Sequence, residues 1–168
     1  MINYRLDLYN QVTKQQAVWI FSQIIEDVNM YKKILLATEF DEIGKRAALA
    51  AKETAKLNNA ELHLLHVIAP ISPNAYSVFE SYVNVEKMMI DQANQELETF
   101  LNEVAIPRTN AHVKRGNIKD ETLEFLEQEE IDLLIVGSHG KQGLSRMLGS
   151  KANALVNIAS CSVLVVRG

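Results

Sequence analysis

The stretch "IVGSHGKQGLSRMLGS", from Ile135 to Ser150, carries four of the seven glycines in the chain. An apolar run at residues 132–138 leads into it, and an alanine-containing pattern with helical spacing follows at residues 150–160. A continuous apolar run bounded by glycine is typical of a strand buried on both faces. The stretch therefore predicts a strand, a glycine-rich loop and a helix, which is the repeating unit of parallel α/β sheets.

The same alternation extends over the chain from Met30 onward. Apolar runs separated by amphipathic helices predict one doubly wound, five-stranded parallel sheet with helices on both faces. The predicted strands are residues 32–38, 61–70, 110–116, 132–138 and 161–168, and the predicted helices are 41–57, 85–104, 118–131 and 150–160. In the second helix we expect the apolar positions to include Met88, Leu97, Phe100, Leu101 and Val104, with the Met88-Met89 pair in the core.

Composition narrows the class of protein. The 168 residues are 48% hydrophobic and 23% charged, with a net charge of −4, which is typical of a globular domain and offers no basic footprint for nucleic acid. No apolar run is long enough to span a bilayer. The single cysteine, Cys161, excludes an internal disulfide, and no metal-binding pattern is present, because His63 and His66 point to opposite faces of one strand. We therefore expect a cytoplasmic protein without a membrane or nucleic-acid partner and without a metal site.

Residues 1–29 precede the first predicted strand and form a separate segment, an N-terminal extension to a domain at residues 30–168. They lack the basic start, apolar middle and cleavage site of a signal peptide. We expect them to be either upstream sequence read through from a misassigned start, with Met30 as the true start, or an added helix that docks on the domain or on a partner.

A ligand of an open α/β sheet binds beyond the carboxyl ends of the strands, and the glycine-rich loop lies at that edge. Gly137 and Gly140 follow the strand, where a side chain would obstruct a ligand. Gly149 and Ser150 open the next helix, whose backbone N–H groups and positive end favour an anion, with Lys151 as a nearby cation. The loop therefore predicts a phosphate site, although it has neither the Walker spacing nor a dinucleotide fingerprint at the first helix.

The chain from Met30 to Gly168 resembles a universal stress protein of the nucleotide-binding type. The family signature is glycine, two residues, glycine, nine residues, then glycine and serine or threonine. Here Gly137 and Gly140 match its first part, and Gly149-Ser150 its last. Further landmarks agree, namely "KKILLATEFDE", "LHLLHVI", "VKRGN" and the closing "CSVLVVRG".

The resemblance implies the strand order 3-2-1-4-5 and an adenine nucleotide, ATP with or without Mg²⁺, as ligand. It places the adenosine against Ala37, Thr38, Glu39 and the backbone of Val67, the ribose and phosphates against Val136 and Gly137, and the phosphates against Gly140, Gly149, Ser150 and Lys151. It also implies a homodimer formed through the last strand, since an open β-prone edge strand otherwise invites association. The implied role is a cytoplasmic regulator of stress response and survival.

Two departures from the family pattern keep alternatives open. Glu39 stands where the family has aspartate, and eight residues instead of nine separate Gly140 from Gly149. Both departures support a dimeric interaction module that binds no nucleotide. A slow ATP hydrolase is a further alternative, but no nucleophile, base or pair of carboxylates in the sequence identifies a catalytic residue. A flavodoxin-like or receiver domain shares the sheet layout, but this chain lacks the acidic cluster at the first strand and the lysine of the fifth strand that are typical of receivers.

Overall fold

The computed structural model describes residues 29–70, 82–138 and 149–168. The chain divides after Met30 into two units, and every helix and strand described here belongs to the second, Tyr31–Gly168. The strands are β1 (Lys33–Ala37), β2 (Glu61–Ile68), β3 (Ala111–Arg115), β4 (Leu133–Ser138) and β5 (Ser162–Arg167). The helices are α1 (Glu42–Asn58), α2 (Tyr82–Val104), α3 (Ile118–Gln128) and α4 (Ser150–Ile158), with a 3-10 turn at Arg108–Asn110.

The five strands form one parallel sheet in the order β3-β2-β1-β4-β5, which confirms the predicted order and the doubly wound class. β1 lies at the centre, where Leu35 is paired with His63 of β2 on one side and with Leu134 of β4 on the other. The chain first winds outward through β2 and β3, then returns to β4 and continues to β5. The direction in which successive strands are added to the sheet reverses between β1 and β4. This boundary is the switch point, at which such sheets bind ligands.

Two hydrophobic clusters cover the two faces of the sheet. The side chains of β1 alternate between them: Ile34 and Leu36 belong to the cluster packed under α1 and α2, and Leu35 belongs to the cluster under α3 and α4. All three are fully buried, because a central parallel strand is covered on both sides. This burial explains why the strand reads as a continuous apolar run.

Local signals set the helix ends. The carboxylate of Asp41 accepts a hydrogen bond from Gly44 N at 2.7 Å and caps α1, which ends where Asn59 adopts a left-handed conformation. Helix α3 ends at Gln128, three residues before the predicted boundary at 131. Glu130 has a φ of 53°, and Ile131 N donates to Leu126 O at 2.9 Å, so the chain turns back toward the sheet.

Helix α2 buries one face, as its spacing predicts, with one exception. Leu97, Phe100, Leu101 and Val104 are buried, whereas Met88 is 69% exposed, so the prediction that Met88 lies in the core is wrong. Met88 precedes Leu97 by about two and a half turns at 3.6 residues a turn, and therefore lies on the opposite face of the helix. Within the described residues, no helix has the length and apolar character that crossing a bilayer requires.

Candidate functional site

A cavity of about 320 Å³ lies at the carboxyl ends of β1 and β4, at the switch point of the sheet. Its described walls come from the loop after β1, the first turn of α1, the start of α3, the end of β4 and the first turns of α4. Eight of the ten residues predicted from the sequence line it: Ala37, Thr38, Glu39, Val136, Gly137, Gly149, Ser150 and Lys151.

The other two predicted residues are placed differently. Val67 lies near the carboxyl end of β2, half-buried and paired with Lys114 of β3, and it does not line this cavity. The cavity spans the boundary of β1 with β4, whereas β2 lies on the far side of β1. Gly140 lies outside the described residues.

In the loop after β1, the residues on either side of Glu39 contact the rest of the domain, and these contacts fix the position of Glu39. On one side, Thr38 N donates to Leu65 O at 3.1 Å, and His66 Nδ1 donates to Thr38 O at 2.9 Å. On the other side, the Phe40 ring stacks on the His66 ring, with 4.3 Å between centroids, and contacts Phe100 of α2. Since both neighbours of Glu39 are anchored to the body of the domain, its carboxylate is presented at the cavity wall.

Two glycines allow α1 to approach the cavity floor closely. A Cβ atom on Gly44 would collide with the carbonyl oxygen of Glu39 and lie 2.5 Å from Thr38 Oγ1. A Cβ atom on Gly137 would lie 2.8 Å from Cγ2 of Ile43, a residue that lines the cavity. The absence of side chains at these two positions therefore determines how near the helix comes to β1 and β4.

The start of α4 is tied to the end of β4. The hydroxyl oxygen of Ser138, a residue only 3% exposed, accepts a hydrogen bond from Gly149 N at 3.0 Å. Gly149 is the residue before the helix, with a φ of −56° and a ψ of 151°, a backbone conformation open to any residue type. Ser150 and Lys151 follow as the first two residues of α4, so the positive end of this helix faces the cavity.

Three ionisable residues line the described part of the cavity, and they carry one negative charge in excess. The carboxylate of Glu39 forms an ion pair with the ammonium of Lys151, which joins the loop after β1 to α4. The carboxylate of Asp41 is engaged with the N-terminus of α1. Among the described lining residues, the groups placed to attract a phosphate include the positive end of α4 and a lysine that already has a carboxylate partner.

Sequence reasoning missed part of the lining. Asp41 carried a usable signal, since aspartate at a predicted helix start is typical of an N-cap, whereas nothing in the sequence indicated that Gly44 lies at the cavity. The remaining residues are apolar or small, and only the packing of four elements, α1, α3, β4 and α4, brings them to one place. They are Ile43, Ile118, Ser138, Ala152 and Leu155.

Away from the cavity, three histidines lie on β2 and β3, and of these His63 is buried while His66 and His112 are half-buried. His63 is 5% exposed and packs edge-on against Phe125 of α3, while the His112 ring contacts the same phenylalanine. Burial lowers the pKa of His112, and the neighbouring His63 lowers it further. His66 faces the opposite side of the sheet, and in the described part of the chain no three His, Cys, Asp or Glu residues are grouped to hold a metal ion.

A doubly wound parallel sheet with a cavity at its switch point defines a Rossmann-like, ligand-binding class of α/β protein. Residues 30–167 match the family model of the universal stress protein family, and the chain belongs to that family, as its glycine signature predicted.

Among its relatives, universal stress protein A homolog 1 of Coxiella burnetii is 35% identical over 138 residues, which are 81% of this chain and 96% of the relative. Among solved structures, that of hypothetical protein MJ0577 is similar, with a TM-score of 0.66, 30% identity and coverage of 83% of this chain and 97% of that one. A universal stress protein solved in complex with cAMP shares the fold, with a TM-score of 0.50, 21% identity and coverage of 81% and 96% of the two chains.

Proposed function

We propose that this protein binds an adenine nucleotide, ATP with or without Mg²⁺, in the cavity at the switch point. The observation that carries the proposal is the convergence of eight of the predicted residues, from three separate parts of the chain, on one cavity. Its volume of about 320 Å³ falls at the lower end of the range typical of small-molecule sites.

The roles assigned to the residues are those that the resemblance to the family implies. Ala37, Thr38 and Glu39 are assigned to the adenosine, with backbone contacts from Val67 at the neighbouring strand end. Val136 and Gly137 are assigned to the ribose and the nearest phosphate. The phosphates are assigned to Gly140, Gly149, Ser150 and Lys151, where the start of α4 supplies N–H groups and a favourable dipole.

Titration calorimetry with ATP, preceded by native mass spectrometry of freshly purified protein, tests this function. We expect co-purified nucleotide or a dissociation constant in the micromolar range. The variant Gly149→Val should abolish binding, since its side chain would stand where the phosphates are proposed to lie. The fold should be retained, because the backbone conformation at this position accepts a side chain. Unchanged affinity in Gly149→Val would place the phosphates elsewhere.

We further propose a cytoplasmic, homodimeric regulator of stress response, in which nucleotide occupancy alters the surface offered to partners. β5 is an outer strand of the described sheet, and Leu164 on it is 39% exposed. An apolar edge strand of this kind is suited to pairing with a second copy across a two-fold axis.

A dimeric interaction module without nucleotide is the second candidate, favoured by the ion pair of Glu39 with Lys151. That contact gives the lysine of the described cavity lining a partner within the chain. The absence of binding at millimolar ATP, with the dimer intact, would favour this candidate. Release of phosphate during the titration would instead support the slow hydrolase, for which we assign no catalytic residue.

A further inference from the structure

We propose that Glu39 limits the affinity of the cavity for polyphosphates, because its carboxylate holds the one lysine of the described cavity lining, Lys151. This inference rests on the proposed nucleotide site and concerns its preference among adenosine, AMP, ADP and ATP. The juxtaposition that carries it is the ion pair between Glu39 and Lys151, two residues 112 positions apart in the chain.

The pair joins two walls of one cavity. Glu39 Oε1 accepts a hydrogen bond from Lys151 Nζ, and both residues line the cavity. Lys151 is the second residue of α4, next to the helix end at which a phosphate is favoured. Among the described lining residues, Lys151 is the only lysine or arginine.

A phosphate group placed at the start of α4 would therefore meet a lysine that already has a carboxylate partner. To bind Lys151, the phosphate must displace Glu39 or share the ammonium with it, and it must also approach a negative charge. The cost grows with the charge of the ligand and is absent for neutral adenosine. Since the side chains of Glu39 and Lys151 are 45% and 65% exposed, solvent screens the contact and the effect is modest.

The length of Glu39 contributes to this effect. The family pattern has aspartate at this position, and glutamate extends the carboxylate by one methylene group. Glu39→Asp keeps the negative charge but shortens its reach, whereas Glu39→Gln keeps the reach and removes the charge. Glu39→Asp therefore tests the contact with Lys151, and Glu39→Gln tests the negative charge of residue 39.

The experiment is titration calorimetry of the full chain with adenosine, AMP, ADP and ATP at one ionic strength. The measured quantity is the ratio of the adenosine dissociation constant to that of ATP. Adenosine and ATP share the nucleoside, so a change in its contacts alters both constants equally and cancels in the ratio. In Glu39→Gln we expect this ratio to rise by about 1.5-fold to fivefold, the factor that corresponds to the usual strength of an exposed ion pair. Glu39→Asp should show a smaller rise. Lys151→Met should lower the ratio, and in the double variant the effect of Glu39→Gln should shrink to the part that comes from the negative charge alone.

Glu42→Gln is the matched control, since it removes the same charge three positions away. Glu42 pairs with Lys45 on the first turn of α1 and does not line the cavity, so this variant should keep the wild-type ratio. An unchanged ratio in Glu39→Gln, with ATP and adenosine weakened equally, would overturn the inference and leave the nucleotide site standing. If neither wild type nor any variant binds any of the four ligands, the proposed function and the inference both fail.

Discussion

Ser138 and Gly149 are joined by a hydrogen bond from the Gly149 backbone N–H to the Ser138 hydroxyl, with 3.0 Å between nitrogen and oxygen. The bond connects the last residue of β4 to the residue that precedes α4. It closes the ten-residue loop that contains the second glycine of the family signature. The first N–H at the start of α4 therefore has a partner inside the protein, and the helix is held against the cavity before any ligand arrives.

Replacement of Ser138 by alanine should remove this bond and leave the Gly149 N–H group without it. We expect the free energy of unfolding to fall by about 1 kcal/mol, the net value of a typical internal hydrogen bond. Urea denaturation measures this loss, and ATP affinity should fall with it because α4 is less firmly placed. Ser160→Ala, at an exposed position, is the control and should change neither quantity. Full stability in Ser138→Ala would show that the bond contributes nothing.

Replacement of Gly44 by alanine offers a test in which two effects have opposite signs. Within a helix, alanine is favoured over glycine by about 0.5–1 kcal/mol, so helix propensity alone predicts a more stable protein. The collision of the new Cβ with the Glu39 carbonyl and Thr38 Oγ1 predicts instead a loss of about 1–3 kcal/mol, as for other overpacked sites. Urea denaturation decides the sign, and a stabilised variant would contradict the close approach of α1 to the loop after β1.

The proposed dimer can be tested at the backbone of β5. Ser162 N and Gly168 N donate to carbonyl oxygens at both ends of β4, so in a parallel ladder Val163 and Val165 direct their N–H groups to the other side. Val165→Pro should remove one donor from that edge while the pairing with β4 is retained. Light scattering coupled to size exclusion should then show monomer.

Val165→Ala keeps the backbone donor and serves as the control, which should remain dimeric. A wild-type protein that is monomeric at micromolar concentration would exclude the dimer. A Val165→Pro variant that remains dimeric would place the interface away from this edge.

The stability of the protein should decrease as the pH falls below about 6.5, the usual pKa of histidine. Burial against Phe125 and the proximity of His63 lower the pKa of His112 in the folded state, with Arg108 and Lys114 acting in the same direction and Glu129 against it. The unfolded chain therefore binds a proton more readily than the folded one. The stability that neutral His112 contributes is fully present above the pKa that this histidine has in the unfolded chain. It is lost as the pH falls toward the lower pKa of His112 in the folded protein.

Urea denaturation between pH 5 and pH 7.5 measures this dependence, in a range above most carboxylate titrations. His112→Gln removes the titrating group and should flatten the curve relative to wild type. Parallel curves for the two proteins would show that His112 does not contribute to the pH dependence.

Much of the fold was predictable because its signals are local. The residues of β1 form a continuous apolar run because both faces of the strand are covered, and α1 begins at Glu42 because the carboxylate of Asp41, the residue before it, caps the helix. Met88 is apolar but exposed, so apolar character alone does not predict burial at this position. The helical phase relative to Leu97 places it on the exposed face, and that phase was available in the sequence.

By itself, the sequence determined the alternation of strands and helices and, from the glycine-rich stretch, predicted the sheet edge at which the candidate site lies. These properties depend on hydrophobic periodicity and backbone freedom, which nearby residues specify. Only the tertiary structure decided that Glu39 reaches Lys151, that the Ser138 hydroxyl holds Gly149, and that Val67 lies outside the cavity wall. Such contacts depend on the position of each side chain after the sheet has assembled, and neither residue of a distant pair carries that information alone.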